Sequence, residues 1–388
     1  MADLIWLTDN AHYIDLLEPY RKMGYPIFGP GIEASDLELD RELGQRAMKA
    51  AGLNTIPGVA FDDYDDAAKY VEKHQTYLVS KPSGEADKAL SYVADDAASL
   101  LYMLERWKRN DKYRHDAKKF GFILQEKIQG CEMAVGGWFG PGGWADGWYE
   151  NWEFKKLMAG DLGPNTGELG TVSRYVFKSK LADIALVPFT KMLKKLQYVG
   201  FIDVSGMITE EGQFNPFEFT MRPGWPTYYN QTATHWNEDP AQWKLDMLNG
   251  HNTLKVKENL VCVSVVVAVP DFPYSKFSKK EVIGIPLYGV TAKEREHTHL
   301  CEVMLEDDIP TQIGGKIVRV PGLVTADDYV AVFTGTGETI SGARRSAYAA
   351  VKKLKMPNNP FFRIDIGVRL QKQLPGIQRH GFATNLTY

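Results

Sequence analysis

The chain has 388 residues, of which 44% are hydrophobic, 24% charged and 12% aromatic, and its formal net charge is −4. This composition supplies a packed core and excludes a disordered chain, a collagen-like chain and a small disulfide scaffold. At about 150 residues per domain, the length predicts two or three domains. The small negative charge creates no overall field that favours nucleic acid, so no nucleic-acid partner is expected.

The sequence also lacks the signals of a membrane or secreted protein. The longest apolar run, residues 260–269, is far shorter than the roughly 20 residues that a membrane crossing needs. The N-terminus carries Asp3 where a signal peptide has basic residues, and the three cysteines form no CxxC pair. We therefore expect no membrane partner and a cytoplasmic location.

Helical and strand patterns alternate along the chain as far as about residue 250. Ser35 followed by Glu38 has the spacing of a capping box, which predicts a helix start, and Gly52 predicts the end of that helix. Beyond residue 255 the pattern changes to short apolar segments typical of strands, closed by a helix at 341–354. The predicted fold class is α+β, with a β-rich C-terminal domain.

Two segments, 201–209 and 214–220, predict strands joined by the turn Glu210-Glu211-Gly212. Alternation along the second strand predicts one polar face, with Glu218, Thr220 and Arg222, and one apolar face, with Phe217, Phe219 and Met221. Asp203 and Ser205 alternate similarly in the first strand, so a second acid is expected at the polar face. These groups suit Mg²⁺ and a phosphate together. A hairpin with one face in water is an equal alternative on spacing alone.

Two positions next to predicted strands have both a chemical and an ordinary interpretation. Lys81 follows the strand 77–80 and is either a phosphate ligand or the last solvated residue of that strand. The segment Glu126-Lys127-Ile128-Gln129-Gly130-Cys131-Glu132 follows the apolar strand 122–126. Strand-end backbone groups there suit the donor and acceptor pattern of adenine, and a following carboxylate suits ribose hydroxyls. A charged turn after a strand is the ordinary alternative.

A glycine-rich loop occupies residues 160–170 and includes Asp161-Leu162-Gly163-Pro164-Asn165-Thr166-Gly167-Glu168-Leu169-Gly170. Loops of this kind expose backbone N–H groups that can receive phosphates or carboxylates. A long surface turn is the alternative, and the residues alone favour it.

Taken together and in this order, these segments resemble phosphoribosylamine–glycine ligase, an ATP-grasp enzyme family of purine biosynthesis. The resemblance runs from about Ile27 to about Leu370. Besides the segments quoted above, it rests on three short motifs: Phe28-Gly29-Pro30, Gly335-Thr336-Gly337 and Arg363-Ile364-Asp365-Ile366-Gly367.

The resemblance implies an ATP-grasp fold, in which two α+β lobes hold the nucleotide, with a β-rich C-terminal domain. The implied domains are a shortened N-terminal segment at 1–30, an ATP-grasp domain at 31–250 and the C-terminal domain at 255–388. A small mobile lobe is expected within the ATP-grasp domain, at about 58–122. Because only residues 1–28 precede Gly29, the family's N-terminal glycine-rich turn is expected to be absent.

The implied activity is an ATP-dependent ligation of a carboxylate, glycine in the family, to an amine through an acyl phosphate, with Mg²⁺ or Mn²⁺. The nucleotide-binding residues implied are Lys81, Lys88, Glu126, Lys127, Ile128 and Glu132. The metal ligands implied are Glu218 and Thr220, and the catalytic residues are Arg222 and Lys81. The residues implied to hold the small substrates are Asp161, Gly163, Asn165, Thr166, Gly167 and Arg222.

The sequence departs from the family pattern at three places. The segment Ser83–Lys88 has a single glycine where the family has a glycine-rich lid, and Thr220 stands where the family has an asparagine. Pro223-Gly224-Trp225-Pro226-Thr227 replaces Phe-Gly-Asp-Pro-Glu, which removes two acids. Two alternatives therefore stay open: a ligase with another amine substrate, such as a modified nucleoside or a peptide, and a weakened nucleotide-binding module. The oligomeric state is not predicted.

Overall fold

The computed structural model describes residues 5–83, 90–237, 239–273, 280–291, 294–357 and 360–388. The chain divides into two compact units, each built from several segments. The first unit contains Met1–Ala145, Lys180–Pro223 and Ala241–Thr253, and the second contains Asp146–Ser179, Gly224–Pro240 and Leu254–Tyr388. None of the helices in the described part of the chain has the length and apolar character needed to span a bilayer.

The described residues form twelve α-helices: α1 (Ile14–Lys22), α2 (Ile32–Leu39), α3 (Arg41–Ala50), α4 (Tyr64–Lys73), α5 (Ala97–Lys108), α6 (Asp111–Phe120), α7 (Lys180–Ala185), α8 (Thr190–Lys195), α9 (Thr227–Ala233), α10 (Gln242–Leu248), α11 (Ile340–Val351) and α12 (Leu370–Gln378). The strands of the first half of the chain are β1 (Trp6–Leu7), β2 (Ile27–Phe28), β3 (Gly58–Phe61), β4 (Val79–Pro82), β5 (Tyr92–Val93), β6 (Phe122–Gln125), β7 (Cys131–Gly140), β8 (Gly143–Trp144), β9 (Trp148–Glu153), β10 (Lys156–Met158), β11 (Leu162–Asn165) and β12 (Gly170–Val176). The strands that follow are β13 (Gly200–Ile208), β14 (Phe214–Thr220), β15 (Val261–Ala268), β16 (Pro286–Leu287), β17 (Thr298–Leu300), β18 (Val303–Ile313), β19 (Lys316–Thr325) and β20 (Tyr329–Gly337).

A four-stranded antiparallel sheet in the first unit has the strand order β3, β6, β4, β5. The helices α4, α5 and α6 share a core with it, which includes Tyr64, Leu100, Trp107 and Leu124. Each of these helices begins where a side chain accepts hydrogen bonds from free backbone N–H groups, which satisfies donors that the helix cannot pair. The capping residues are Asp63, Asp96 and Asn110.

A second antiparallel group in the first unit pairs in the order β14, β13, β7, and β8 pairs with β7. Its core is aromatic. The indole of Trp138 contacts Phe28, Phe201 and Trp243, with ring centres 5.6, 4.9 and 5.0 Å apart. These large buried rings contribute much of the apolar area that the unit removes from water.

The predicted capping box at Ser35 and Glu38 is wrong. Ser35 lies inside α2, where its hydroxyl donates to the carbonyl of Ile32 at 2.8 Å. The next helix, α3, begins instead at Asp40, whose side chain accepts from the N–H of Leu43 at 2.9 Å. The carboxylate of Glu38 is used elsewhere, as an acceptor for the N–H of Met221 at 2.7 Å. A hydrogen bond between a carboxylate and the backbone at a strand end contributes more free energy than a local helix cap. Glu38 therefore binds Met221 instead of capping a helix.

The second unit is built on strands that pair antiparallel in the order β9, β12, β15, β20, β17. Every residue of β15 is buried, as its valine-rich sequence predicts. A separate sheet has the order β16, β19, β18, and β10 pairs with β11. The β-rich C-terminal region predicted beyond residue 255 is therefore present.

Gly335 and Gly337 allow the helix α11 to lie close against β20. A Cβ on Gly335 would come within 2.0 Å of the backbone nitrogen of Ala347, and one on Gly337 within 2.6 Å of the nitrogen of Ala343. Because backbone atoms cannot give way as a flexible side chain can, both positions require glycine. In this structure the Gly335-Thr336-Gly337 motif therefore serves helix–sheet packing.

His299 in β17 makes the second unit sensitive to acid. Its ring stacks on Tyr229 with centres 4.2 Å apart, and its Nε2 lies 3.1 Å from the hydroxyl of Thr334. Burial, together with the nearby His297, lowers the pKa of His299 to about 4 from an ordinary value of 6.5. The unfolded chain therefore takes up a proton over a pH range in which the folded protein does not.

We expect the free energy of unfolding to fall as the pH drops below 6.5, and the contribution of His299 to be about 2 kcal/mol between about pH 7 and pH 5. His299→Gln should remove this contribution, whereas the exposed His251→Gln should not. Urea unfolding of both variants at the two pH values measures the difference. An equal pH dependence in wild type and His299→Gln would contradict the assignment.

Candidate nucleotide and metal site

The pairing of β13 with β14 brings the predicted polar residues to one face of the sheet. Asp203 lies opposite Thr220, and Ser205 lies opposite Glu218. Side chains of residues directly opposite each other in an antiparallel pair point to the same face. The structure thus places two carboxylates and two hydroxyls on neighbouring positions of one surface, as the alternation predicts.

The pairing of β13 with β7 extends this face toward Glu132. Glu132 lies opposite Met207, two positions along β13 from Ser205. With strands about 4.8 Å apart and a rise of about 3.3 Å per residue, the backbone of Glu132 is roughly 12 Å from that of Glu218. This separation is of the order of the length of a nucleotide.

Phe217 departs from the alternation that the sequence predicts. A bulge at Ser205 and Gly206 leaves Phe217 without an opposite residue on β13, so it does not join Phe219 and Met221, which are fully buried. Its ring instead lies under the ammonium group of Lys81, with Nζ 4.6 Å from the ring centre. Since Lys81 belongs to β4, the bulge brings the four-stranded sheet to the residue next to Glu218.

The helices α2 and α3 hold β14 through contacts that sequence reasoning missed. Arg41 Nη1 lies 3.0 Å from Glu218 Oε2, and Gln45 Nε2 donates to the carbonyl of Phe217 at 2.7 Å. Glu38 pairs with Arg222, with Oε1 and Nη2 3.0 Å apart. The spacing of Glu38, Arg41 and Gln45 by three and four residues is a helical-face signal, but it does not identify the strand that they contact.

The predicted adenine hinge directly follows β6. Lys81 pairs with Ile123 across the sheet. Glu126, three residues after Ile123, is the first residue of the hinge, and its N–H donates to the carbonyl of Pro57 at 3.3 Å. Lys127 Nζ donates to the carbonyl of Ala94 at 2.8 Å, so this ammonium group secures the hinge locally. Ile128 is half-buried. Lys88 and most of the predicted lid, residues 84–89, lie outside the described residues.

The glycine-rich loop belongs to the second unit, and part of it is not a loop. Leu162–Asn165 forms β11 and pairs with β10, with Asn165 opposite Lys156. Gly163 has a φ of +77°, which glycine adopts readily, and Thr166 Oγ1 donates to the carbonyl of Lys155 at 2.7 Å. A side chain at Gly167 would meet open space.

Arginines hold Asp161 at the start of this loop. Arg363 Nη1 lies 2.9 Å from Asp161 Oδ1, and Arg369 Nη1 lies 3.4 Å from Oδ2. Arg363 Nη2 also pairs with Asp365 Oδ2 at 2.8 Å, and the same oxygen accepts from the N–H of Gly160 at 2.9 Å. Burial alone would raise the pKa of Asp365, but the hydrogen bonds from Arg363 and Gly160 outweigh it and lower that pKa. The predicted substrate residue Asp161 is thus engaged by the protein itself.

The donor set on β13 and β14 fits Mg²⁺. Mg²⁺ prefers oxygen ligands, usually one or two carboxylates with water and phosphate oxygens completing the shell. Asp203 and Glu218 supply carboxylates, and Thr220 supplies a hydroxyl beside them. Glu218 can meet Arg41 through one oxygen and a cation through the other, so the ion pair is compatible with metal binding.

A family model and curated relatives match this chain. The model of the phosphoribosylglycinamide synthetase ATP-grasp (A) domain matches residues 40–227. Phosphoribosylamine–glycine ligase of Lactococcus lactis subsp. lactis is 24% identical over 381 residues, which cover 91% of this chain and 81% of the relative.

Two solved structures show the same fold. Phosphoribosylamine–glycine ligase from Thermotoga maritima matches with a TM-score of 0.66 at 22% identity, over 88% of this chain and 82% of the other. The biotin carboxylase domain of the Hydrogenobacter thermophilus 2-oxoglutarate carboxylase, in complex with MgADP, ADP and bicarbonate, matches with a TM-score of 0.57 at 14% identity, over 91% and 73%. The predicted ATP-grasp fold is confirmed, and residues 40–227 match the ATP-grasp (A) domain of phosphoribosylglycinamide synthetase.

Proposed function

We propose that this protein is an ATP- and Mg²⁺-dependent ligase that joins the carboxylate of glycine to the amine of phosphoribosylamine. The carboxylate attacks the γ-phosphorus of ATP and ADP leaves, which gives an acyl phosphate. The amine then attacks the acyl carbon, phosphate leaves with the electrons of the broken C–O bond, and the nitrogen loses a proton. One ATP is thereby converted to ADP and phosphate for each amide bond.

The contact between Lys81 and Phe217, beside Glu218, is the observation that carries this proposal. The first step brings an anionic carboxylate to a polyanion, so fixed positive charge has to offset the repulsion. Lys81 supplies one such charge next to the oxygen donors of β14, and Arg222 lies two residues beyond Thr220 as a second candidate. We assign both residues to the phosphates.

The other predicted residues take the following roles in this proposal. Backbone groups at Glu126 and Ile128 would hold adenine, with Lys127 securing the hinge, and Glu132 would hold ribose hydroxyls. Glu218 and Thr220 would hold Mg²⁺, with Asp203 as an added ligand. Bound there, the metal would neutralise phosphate charge in the transition state; Mn²⁺, which accepts the same ligands, is the proposed substitute. Lys88 is retained as a phosphate ligand on the resemblance alone.

The glycine-rich loop is assigned to the small substrates. Gly163, Asn165, Thr166 and Gly167 would present backbone and side-chain donors, whereas we now assign Asp161 to holding the loop, because Arg363 and Arg369 already engage it. The proposed small mobile lobe remains at about 58–122, where the four-stranded sheet has its own core. The proposed ATP-grasp domain at 31–250 and C-terminal domain at 255–388 are likewise retained, and the cytoplasm is the proposed compartment.

Release of ADP in the presence of glycine and freshly generated phosphoribosylamine tests the proposed activity. We expect turnover only when ATP, Mg²⁺, glycine and the amine are all present. ADP release with glycine and a different amine would replace the proposed acceptor. ATP binding without turnover on a panel of amino acids and amines would identify a nucleotide-binding module instead.

Lys81→Met is expected to weaken Mg·ADP binding by about 10-fold to 100-fold, because loss of a charged phosphate contact costs about 1.5–3 kcal/mol. Calorimetric titration of the purified protein measures the affinity. Lys81→Arg should retain most of it, since it keeps both the charge and the contact with Phe217. Lys69→Met, at an exposed position of α4, is the matched control. Equal Mg·ADP affinity in Lys81→Met and wild type would show that Lys81 does not contact the phosphates.

A further inference from the structure

Helix α1 in the first unit carries a row of apolar side chains on its outer face. Tyr13, Leu16, Tyr20 and Met23 are between 51% and 70% exposed. They are separated by three, four and three positions, a spacing that places side chains on one face of a helix. Tyr25 extends the row, since its exposed ring contacts that of Tyr20 with centres 5.7 Å apart. We call these five residues the α1 stripe; single exposed apolar residues are ordinary in proteins, whereas a contiguous group marks an interaction surface.

The opposite face of α1 is fixed to the unit. Ile14 is buried there. Arg21 donates to three backbone carbonyls, those of Ile27, Gly29 and Pro30, at 3.2, 3.2 and 2.7 Å. Turning the helix to cover its stripe would expose Ile14 and break all three hydrogen bonds, each of which is charge-assisted. The folded unit therefore holds the α1 stripe outward.

The spacing of the stripe is that of a helix–helix seam. Apolar residues that alternate three and four positions apart occupy the a and d positions of a heptad, and such residues pack between the a and d side chains of a facing helix. The α1 helix of a second copy offers the same spacing, so the surface is self-complementary. A contact of this kind is isologous, because both copies use the same residues about a two-fold axis.

Two charged residues beside the stripe favour a second copy in antiparallel orientation. Asp15 and Lys22 are seven positions apart, which is about two helical turns, so they lie on the same side of α1. Both are exposed, and within the described ranges neither forms an ion pair. When two α1 helices pack antiparallel about the middle of the stripe, Asp15 of each copy comes beside Lys22 of the other. A parallel pair would instead bring Asp15 to Asp15 and Lys22 to Lys22, which repel.

We propose that α1 forms a two-fold symmetric interface between two copies of this chain, with the helices antiparallel. At about 100 Å² for each half-exposed side chain of this size, covering the stripe on both copies removes roughly 1,000 Å² from water, which is near the lower limit of specific interfaces. Interfaces of this size form reversible complexes, so we expect a dissociation constant of about 10 µM. This inference goes beyond the proposed ligation and does not depend on it.

Sedimentation velocity of the full chain without nucleotide tests the dimer. Between about 1 and about 300 µM protein, we expect the monomer to be replaced by a dimer. Leu16→Lys places a charge in the seam on each copy and should weaken the dimer at least about 100-fold, without changing the thermal melt, because Leu16 is exposed in the monomer. Leu305→Lys makes the same change at an exposed leucine of β18 and should leave the dimer unchanged. A monomer at every concentration, or equal dimer affinity in Leu16→Lys and wild type, would overturn the proposal.

A charge exchange tests the orientation of the two helices. Asp15→Lys would put two lysines together at each end of an antiparallel pair, so we expect a dimer about tenfold weaker. Asp15→Lys combined with Lys22→Asp re-creates both ion pairs with the signs reversed and should restore wild-type affinity. In a parallel pair, Asp15→Lys would only exchange one like-charge contact for another. Unchanged affinity in Asp15→Lys, or no recovery in the double variant, would overturn the antiparallel arrangement.

An exposed apolar helix face also suits a lipid surface, and Leu16→Lys separates the two cases. We expect no co-sedimentation of the protein with phosphatidylcholine vesicles. Co-sedimentation of wild type that Leu16→Lys abolishes, together with a monomer in solution, would assign the α1 stripe to a membrane surface and overturn the dimer. Because neither ATP nor substrate is present in these measurements, their failure would leave the proposed ligase activity untouched.

Discussion

Glu218→Gln is expected to lower the rate of ADP release at least about 100-fold, which corresponds to about 2.7 kcal/mol in the activation free energy. The substitution keeps an oxygen that can accept from Arg41 but removes the charge that a hard divalent cation requires. Stability should change little, because the Arg41–Glu218 pair is partly exposed and such pairs contribute about 0–1 kcal/mol. Steady-state ADP release and a thermal melt separate the two effects.

Glu211→Gln is the matched control, since it makes the same change in the turn between β13 and β14. It should retain wild-type turnover. Partial recovery of the Glu218→Gln variant at high Mg²⁺ concentration would further identify the loss as one of metal binding. Unchanged turnover in Glu218→Gln would show that β14 does not carry the metal, and the assignment of Thr220 would fail with it.

Arg363→Met is expected to lower the free energy of unfolding by about 3 kcal/mol, because it removes a buried guanidinium together with several charge-assisted hydrogen bonds. The side chain of Arg363 is fully buried and bonds both Asp161 and Asp365. Its guanidinium also lies over the ring of Phe154, 5.3 Å from the centre. The loss should appear in urea unfolding at neutral pH.

The same variant tests the role of the glycine-rich loop. If Arg363 positions that loop through Asp161, then Arg363→Met should raise the KM for glycine more than it changes the affinity for Mg·ADP. Asp161→Asn should produce the same pattern with a smaller loss of stability, because Asp161 is more exposed than Arg363. Arg345→Met, on the exposed side of α11, is the control. Equal effects on glycine and nucleotide would indicate a general loss of folding.

Much of the local structure and part of the candidate site could be predicted from the sequence. The alternation in residues 201–209 and 214–220 predicted the two strands and put Asp203, Glu218 and Thr220 on one face, because side chains alternate with a period of two. The apolar run at 260–269 predicted the buried strand β15, because a short continuous apolar segment suits a strand that is covered on both faces. Motif order along the chain indicated the ATP-grasp fold, which the family match confirms.

Other features of the site depend on contacts that no local pattern specifies. Phe217 faces Lys81 only because a bulge interrupts the alternation, and a single extra residue in a strand leaves no clear mark in the sequence. Glu38 leaves its predicted cap to bind Arg222, which is 184 positions away along the chain. Asp161 and Arg363 are separated by 202 positions.

The sequence by itself determined which elements form, which faces are polar and which family the chain resembles, since propensity, periodicity and motif spacing act over a few residues. Only the tertiary structure decided that Asp161 is held by arginines and that α2 and α3 secure β14. The physical reason is that ion pairs and ring contacts form between residues brought together by packing, and their energies depend on burial that a linear sequence does not reveal.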